Sequence, residues 1–191
     1  MSYLITGLIL FLGIHSLAII SPTGRQVLRQ RLGRLPYQAL YSLIALVGLV
    51  LIIHGWGQAR LDPVVLYHPP GWLTHVNNLL MLLVFPLLLA AYLPGRIQRT
   101  FRHPMLVAVK TWALAHLLVN GELAALLLFG SFLAWAVVDR ISLKRRTQSD
   151  LIQLPAWKFN DLIVVIAGLG LHVIFVFWLH PLWIGVPAVP G

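Results

Sequence analysis

Cysteine is absent from the 191 residues, which excludes disulfides, iron–sulfur clusters, thiol catalysis and covalent c-type haem attachment. Any bound metal or cofactor must be held by histidine or oxygen. Charge is scarce as well: 10% of residues are charged, and Asp and Glu number 5 against 14 Lys and Arg. Ordinary soluble domains carry more than twice that share. The remainder is apolar, with 59% hydrophobic residues and a mean hydropathy of +0.86. The composition predicts an integral membrane protein and argues against a nucleic-acid-binding module, despite a net charge of +9.

A spanning helix needs about 20 apolar residues. Six runs approach that length: residues 3–20, 37–56, 72–92, 105–119, 122–138 and 162–179. The expected fold is all-α, a polytopic membrane bundle of about six transmembrane helices forming a single transmembrane domain over 1–191. No basic residue precedes the first run and no small-residue cleavage site follows it, so it reads as a retained helix and not a signal peptide. Basic residues sort by loop. Arg25, Arg29, Arg31 and Arg34 lie between runs 1 and 2; Arg96, Arg99 and Arg102 between 3 and 4; Arg140, Lys144, Arg145, Arg146 and Lys158 between 5 and 6. The opposite side has only Arg60. The positive-inside rule then predicts an inner-membrane protein with both termini periplasmic and three cytoplasmic basic loops facing anionic lipid headgroups.

Local signals refine this picture. Pro86 predicts a kink in run 3. Asn120-Gly121-Glu122 predicts a tight turn between runs 4 and 5, with Asn120 or Gly121 capping the following helix and Glu122 against its dipole. Residues 139–161 read as a basic, partly amphipathic connector along the inner interface. Trp and Tyr near the run ends suit an aromatic belt.

Histidines inside the spans carry the candidate chemistry. Counting about 1.5 Å per residue, His15 falls about 10 Å from the inner hydrocarbon edge, His116 about 18 Å and His172 about 15 Å. Each alone is explained by a bond to a neighbouring helix. Together they suggest a site, since intramembrane ionisable groups face bundle interiors and mark pathways or cofactors. Two opposed imidazoles are the geometry of bis-histidine haem b, which makes His15 and His116 the candidate metal ligands. Gly7, Gly13, Ala113 and Ala115 leave room for a macrocycle or for close helix packing. Zinc is disfavoured: no carboxylate lies at that depth and no paired-histidine spacing occurs. Lys110, two turns from His103 on one face, either snorkels to the interface or reaches a haem propionate from the side with Arg102 or Arg25. Arg60, Asp62, Tyr67 and His75 form an outer cluster, read either as a loop locked by an Arg–Asp pair or as an entrance beside His54 and His75.

Several segments resemble one family across nearly the whole chain. They are Leu12-Gly13-Ile14-His15-Ser16, Arg31-Leu32-Gly33, Leu40-Tyr41-Ser42-Leu43, Leu66-Tyr67-His68-Pro69-Pro70, Pro94-Gly95-Arg96-Ile97, His103-Pro104-Met105-Leu106, the run from Val109 to Gly121, and the run from Leu133 to Arg140. Together they look like the NnrU family. That resemblance implies a bacterial inner-membrane protein associated with nitrite and nitric oxide metabolism, with redox or denitrification partner proteins. The family also resembles zeta-carotene isomerase, a membrane haem b enzyme. Its ligand histidines lie in segments similar to those holding His15 and His116, and His103 and His75 also belong to family motifs. The isomerase has a cysteine three residues before the second histidine, where this chain has Ala113, so a thiolate ligand switch is unavailable here. Three functions follow for testing: a haem-binding redox or nitric oxide-sensing component, a haem-dependent isomerase of a hydrophobic polyene, and a cofactor-free permease or assembly factor. His172 is the spare ligand candidate.

Overall fold

The computed structural model describes residues 1–145 and 154–188. Helices α1 (Ser2–Ile20), α2 (Pro22–Leu32), α3 (Arg34–Ala59), α4 (Leu73–Met81), α5 (Val84–Ala90), α6 (Arg96–Phe101), α7 (Pro104–Val119), α8 (Leu123–Leu143), α9 (Asn160–Ile174) and α10 (His180–Ile184) follow one another, with a π-helical turn Phe175–Leu179 before α10. Among the described residues no strand forms; Val65 and Glu122 make an isolated antiparallel bridge. The protein is thus an all-α membrane bundle. Among the described residues, five helical segments are long and apolar enough to cross a bilayer, counting Leu73–Ala90 as one. The sixth apolar helix, Pro104–Val119, has 16 residues and packs against α4, α5 and α8. Large apolar side chains such as Ile9, Leu43, Ile53, Leu79, Ile166 and Leu182 face outward, as lipid contact requires.

α1 and α3 form the most extensive helix pair. Their seam is built on glycine. A Cβ at Gly55 would lie 2.2 Å from the Leu4 nitrogen, and one at Gly48 2.7 Å from the Phe11 nitrogen. Small residues let backbones approach until dispersion contacts and main-chain packing replace the hydrophobic drive that lipid cannot supply. Leu4, Leu8 and Ile52 are buried there with Ala125, Leu128 and Phe129 of α8.

The basic segment after α1 is a helix and not a loop. Ser21 Oγ accepts from Gly24 N at 3.1 Å, and Pro22 sits in the first turn, where its missing N–H costs nothing. Gly33, at φ 83°, ends α2 in a conformation that favours glycine. No residue of α2 is buried.

Pro86 breaks run 3 as expected. It cannot donate to the carbonyl four residues back, and the chain passes through Leu82 and Leu83 between α4 and α5. α9 lies close to the break: a Cβ at Gly168 would meet the Pro86 nitrogen at 2.6 Å. At the α2 end, Asp161 accepts from Arg96 N at 2.8 Å and Ile97 N at 3.0 Å, which supplies the start of α6 with its missing acceptors. Asn160 Nδ2 donates to the Pro94 and Pro155 carbonyls.

Two expectations change. The tight turn exists, but neither Asn120 nor Gly121 caps α8; Glu122 occupies the N-cap position without a side-chain bond. Asn120 instead ends α7, its Nδ2 donating to the His116 carbonyl at 2.8 Å. α8 gains its first partner from the 61–72 loop, where the Val64 carbonyl accepts from Leu123 N at 2.9 Å. The connector is shorter than predicted at both ends, because α8 continues to Leu143 and α9 starts at Asn160; residues 146–153 lie outside the described residues.

Replacing Gly55 by Ala should lower the thermal unfolding midpoint in detergent, since forcing a methyl against the Leu4 backbone costs about 1–3 kcal/mol. Gly57→Ala is the control: nothing lies within 4 Å of its Cβ position, so its midpoint should hold or rise. Equal midpoints for the two variants would refute the seam.

Candidate functional site

His15 and Ser16 are accommodated in α1 by their own helix. His15 Nδ1 donates to the Phe11 carbonyl at 2.6 Å, and Ser16 Oγ donates to the Leu12 carbonyl at 2.7 Å. His116 repeats the arrangement in α7, its Nδ1 donating to the Trp112 carbonyl at 2.9 Å. A carbonyl oxygen can only accept, so both imidazoles carry their proton on Nδ1. Nε2 is left with a lone pair and no partner among the described residues. That is how a ligating histidine is normally held, its second nitrogen fixed by a backbone carbonyl.

The two rings do not meet. Phe11 stacks on His15 at 4.3 Å and lies 5.7 Å from Phe132 of α8. Phe132 is 5.5 Å from Trp112, which is 5.4 Å from His116. Three aromatic rings therefore bridge the histidines. His15 stands beside Trp135 at 6.1 Å, and His116 stacks on Phe129 at 4.5 Å. Trp135 and Phe129 are about 9 Å apart along α8, so the pair occupies two levels of the bundle and not one. As donors, the imidazoles fit haem iron. The space between them is occupied by Phe11, Phe132 and Trp112, and a macrocycle there requires those rings to turn aside.

The other candidates fall elsewhere. His103 is the N-cap residue of α7. Lys110 is half-buried and makes no hydrogen bond or ion pair among the described residues. His172 of α9 lies 6.3 Å from the Phe85 ring, and its Nδ1 is buried without a partner. His54 meets Tyr3 edge-on at 5.1 Å. Gly7, expected to leave room near His15, is taken up by the α3 seam, where a Cβ would lie 2.6 Å from the Ile52 nitrogen. Ala113 is fully buried. Among the described residues, no three histidine, cysteine or acidic side chains converge on a metal-sized site.

The outer cluster is locked, though not by an Arg–Asp pair. Arg60 Nη1 donates to the Ile184 carbonyl at 2.5 Å, tying α3 to α10. The Tyr67 hydroxyl donates to the carbonyls of Leu117 and Asn120 at the end of α7. Leu66 N and Tyr67 N both donate to the Gly121 carbonyl. These bonds hold the 61–72 loop as a strap across the α7–α8 turn.

His180 lies at the end of the last span, its ring 5.8 Å from Phe175. Its Nδ1 donates to the Val186 carbonyl at 2.8 Å, again freeing Nε2. Pro181 follows directly, and the π-helical turn absorbs the lost N–H. The aromatic bridge did leave a trace: Phe11 and Trp112 each stand four residues before a histidine, on the same helical face.

Phe132 joins the two halves of this bridge. Phe132→Ala should cost about 3 kcal/mol and lower the unfolding midpoint followed by circular dichroism in detergent, with Phe132→Leu recovering most of the loss. A midpoint unchanged in Phe132→Ala would show that the ring packs against nothing.

No curated protein and no solved structure matches the chain. The family model described as NnrU protein matches residues 3–188. With that match over nearly the whole membrane bundle, the chain belongs to the NnrU family.

Proposed function

We propose that this NnrU-family protein binds haem b within the bacterial inner membrane and serves nitrite or nitric oxide metabolism as a redox or sensing component. The observation that carries the reading is the state of the imidazoles. His15 and His116 each engage Nδ1 with a carbonyl one turn back, which leaves the Nε2 lone pair free to ligate. Haem b would supply one-electron chemistry and affinity for diatomic gases. His116 is held on two sides, by Phe129 stacked on its ring and by Asn120 on its carbonyl. His15 would be the second ligand by the sequence pairing. Lys110 and His103 are assigned only contacts with a propionate or a helix end.

A cofactor-free permease or assembly factor is the second reading, favoured by the filled aromatic bridge between His15 and His116. The polyene isomerase reading is weaker, because the buried methyl of Ala113 stands where the isomerase carries its thiol.

Absorption spectra of detergent-purified protein, oxidised and reduced and after haem reconstitution, test this directly. We expect a Soret band that disappears in His116→Ala and changes coordination state in His15→Ala. The absence of any Soret band after reconstitution would reject the haem reading in favour of the cofactor-free one.

The exposed α2 arginines, Arg29 and Arg31, are proposed to lie on anionic headgroups of the cytoplasmic leaflet, with both termini periplasmic and redox or denitrification proteins as partners. A reporter that folds only in the periplasm should be active when fused at the C-terminus and inactive when fused after Lys144. The reverse pattern would invert the topology.

A further inference from the structure

The strap 61–72 runs from the end of α3 across the α7–α8 turn, and helix pairings fix its level. Gly55 of α3 lies against Leu4 of α1, and Gly48 against Phe11. Phe11 in turn meets Phe132 of α8, and His15 meets Trp135. Counted outward from these contacts, Ala59, Glu122 and the first residue of α1 stand level, and the surplus length of α3 projects at the α2 end. α1 is an apolar helix of 19 residues, about 28 Å long, against a hydrocarbon thickness of about 30 Å. When it crosses the bilayer, its first residue stands at the hydrocarbon boundary, and tilt only draws it deeper. The strap, bonded to the chain at 121–123, shares that level.

The side chains of the strap suit this position. Leu61 is 79% exposed and Trp72 63%, and Val64, Val65 and Leu66 are exposed between them. Asp62 is the one acidic or basic residue of the stretch apart from His68. The hydrogen bonds run the other way, into the protein. The Val64 carbonyl accepts from Leu123 N, Leu66 N and Tyr67 N donate to the Gly121 carbonyl, and the Tyr67 hydroxyl donates to the Leu117 and Asn120 carbonyls. Irregular chain is tolerated at membrane depth only where protein satisfies its polar groups, and these bonds do so for the strap and for the end of α7. The apolar face also continues surfaces that already meet lipid. Ile53 is exposed on α3, and Leu182 and Trp183 are exposed on α10, which Arg60 ties to the start of the strap. A tryptophan at the boundary fits the aromatic belt.

We propose that the strap is a membrane anchor, with Leu61, Val64, Val65, Leu66 and Trp72 seated among phospholipids where headgroups meet acyl chains, in the leaflet at the N-terminal end of α1. Its occupant is lipid, and neither a second copy of the chain nor a water-soluble partner. The inference rests neither on haem nor on which face of the membrane is cytoplasmic.

The chain has no cysteine, so Leu61→Cys and Val65→Cys each place a single nitroxide label in the full protein. Both side chains are exposed, and the label displaces no packing. In vesicles of phosphatidylcholine and phosphatidylglycerol, collisions of the label with oxygen, which concentrates in lipid, are compared with collisions with a water-soluble nickel chelate. Ile9→Cys, on an exposed face midway along α1, supplies the lipid reference, and free label in buffer the water reference. Both strap positions should give an oxygen-to-nickel ratio several-fold above the buffer value and below that of Ile9→Cys. A ratio equal to the buffer value sets the strap in water and overturns the proposal. Low access to both reagents shows that protein covers the face, and overturns it as well. The two positions are read independently, so a variant that fails to fold leaves the other to decide.

Discussion

The closeness of α1 and α3 is the constraint on which the rest of the bundle depends. In lipid, apolar surfaces gain little by meeting one another, so association must come from packing and internal hydrogen bonds. Gly7, Gly48 and Gly55 allow main chain to lie against main chain along this pair. The approach brings His15 of α1 beside Tyr41 of α3. It also presents Phe11 and Leu8 to α8 as one wall. A bulkier seam would separate these helices and part His15 from Tyr41.

A second constraint is the supply of hydrogen-bond partners where helices end or break. The protein meets it with chain from elsewhere in the sequence: Asp161 for the start of α6, Val64 for α8, and Tyr67 for the end of α7. These long-range bonds make the loops structural. The strap over the α7–α8 turn holds Gly121 so closely that a Cβ would collide with the Tyr67 carbonyl. His116 sits one turn below this strap, and its level in the bundle follows from it.

Between the histidines lies the aromatic bridge of Phe11, Phe132 and Trp112. Both imidazoles have Nδ1 fixed by a carbonyl of their own helix. The rings between His15 and His116 divide the interior into two neighbourhoods: one of His15 with Tyr41 and Trp135, and another of His116 with Trp112 and Phe129. One interior thus offers two chemically different places, which a count of histidines along the chain does not separate.

Membrane character, helical class, the break at Pro86 and membership of the NnrU family were all legible in the residues, because they rest on composition, local backbone chemistry and contiguous motifs. The donor state of His15 and His116 was within reach too, since each carbonyl lies in the same helix. The sequence misjudged the cap of α8 and the partner of Arg60, because those depend on chain arriving from far away. It counted His15 and His116 about 8 Å apart in depth, close to their separation along α8, but missed the rings that stand between them. By itself, then, the sequence determined what this protein dissolves in and which groups it carries inside. Which of those groups share a space was decided only by tertiary packing, since helix register is set by contacts between side chains that no local pattern records.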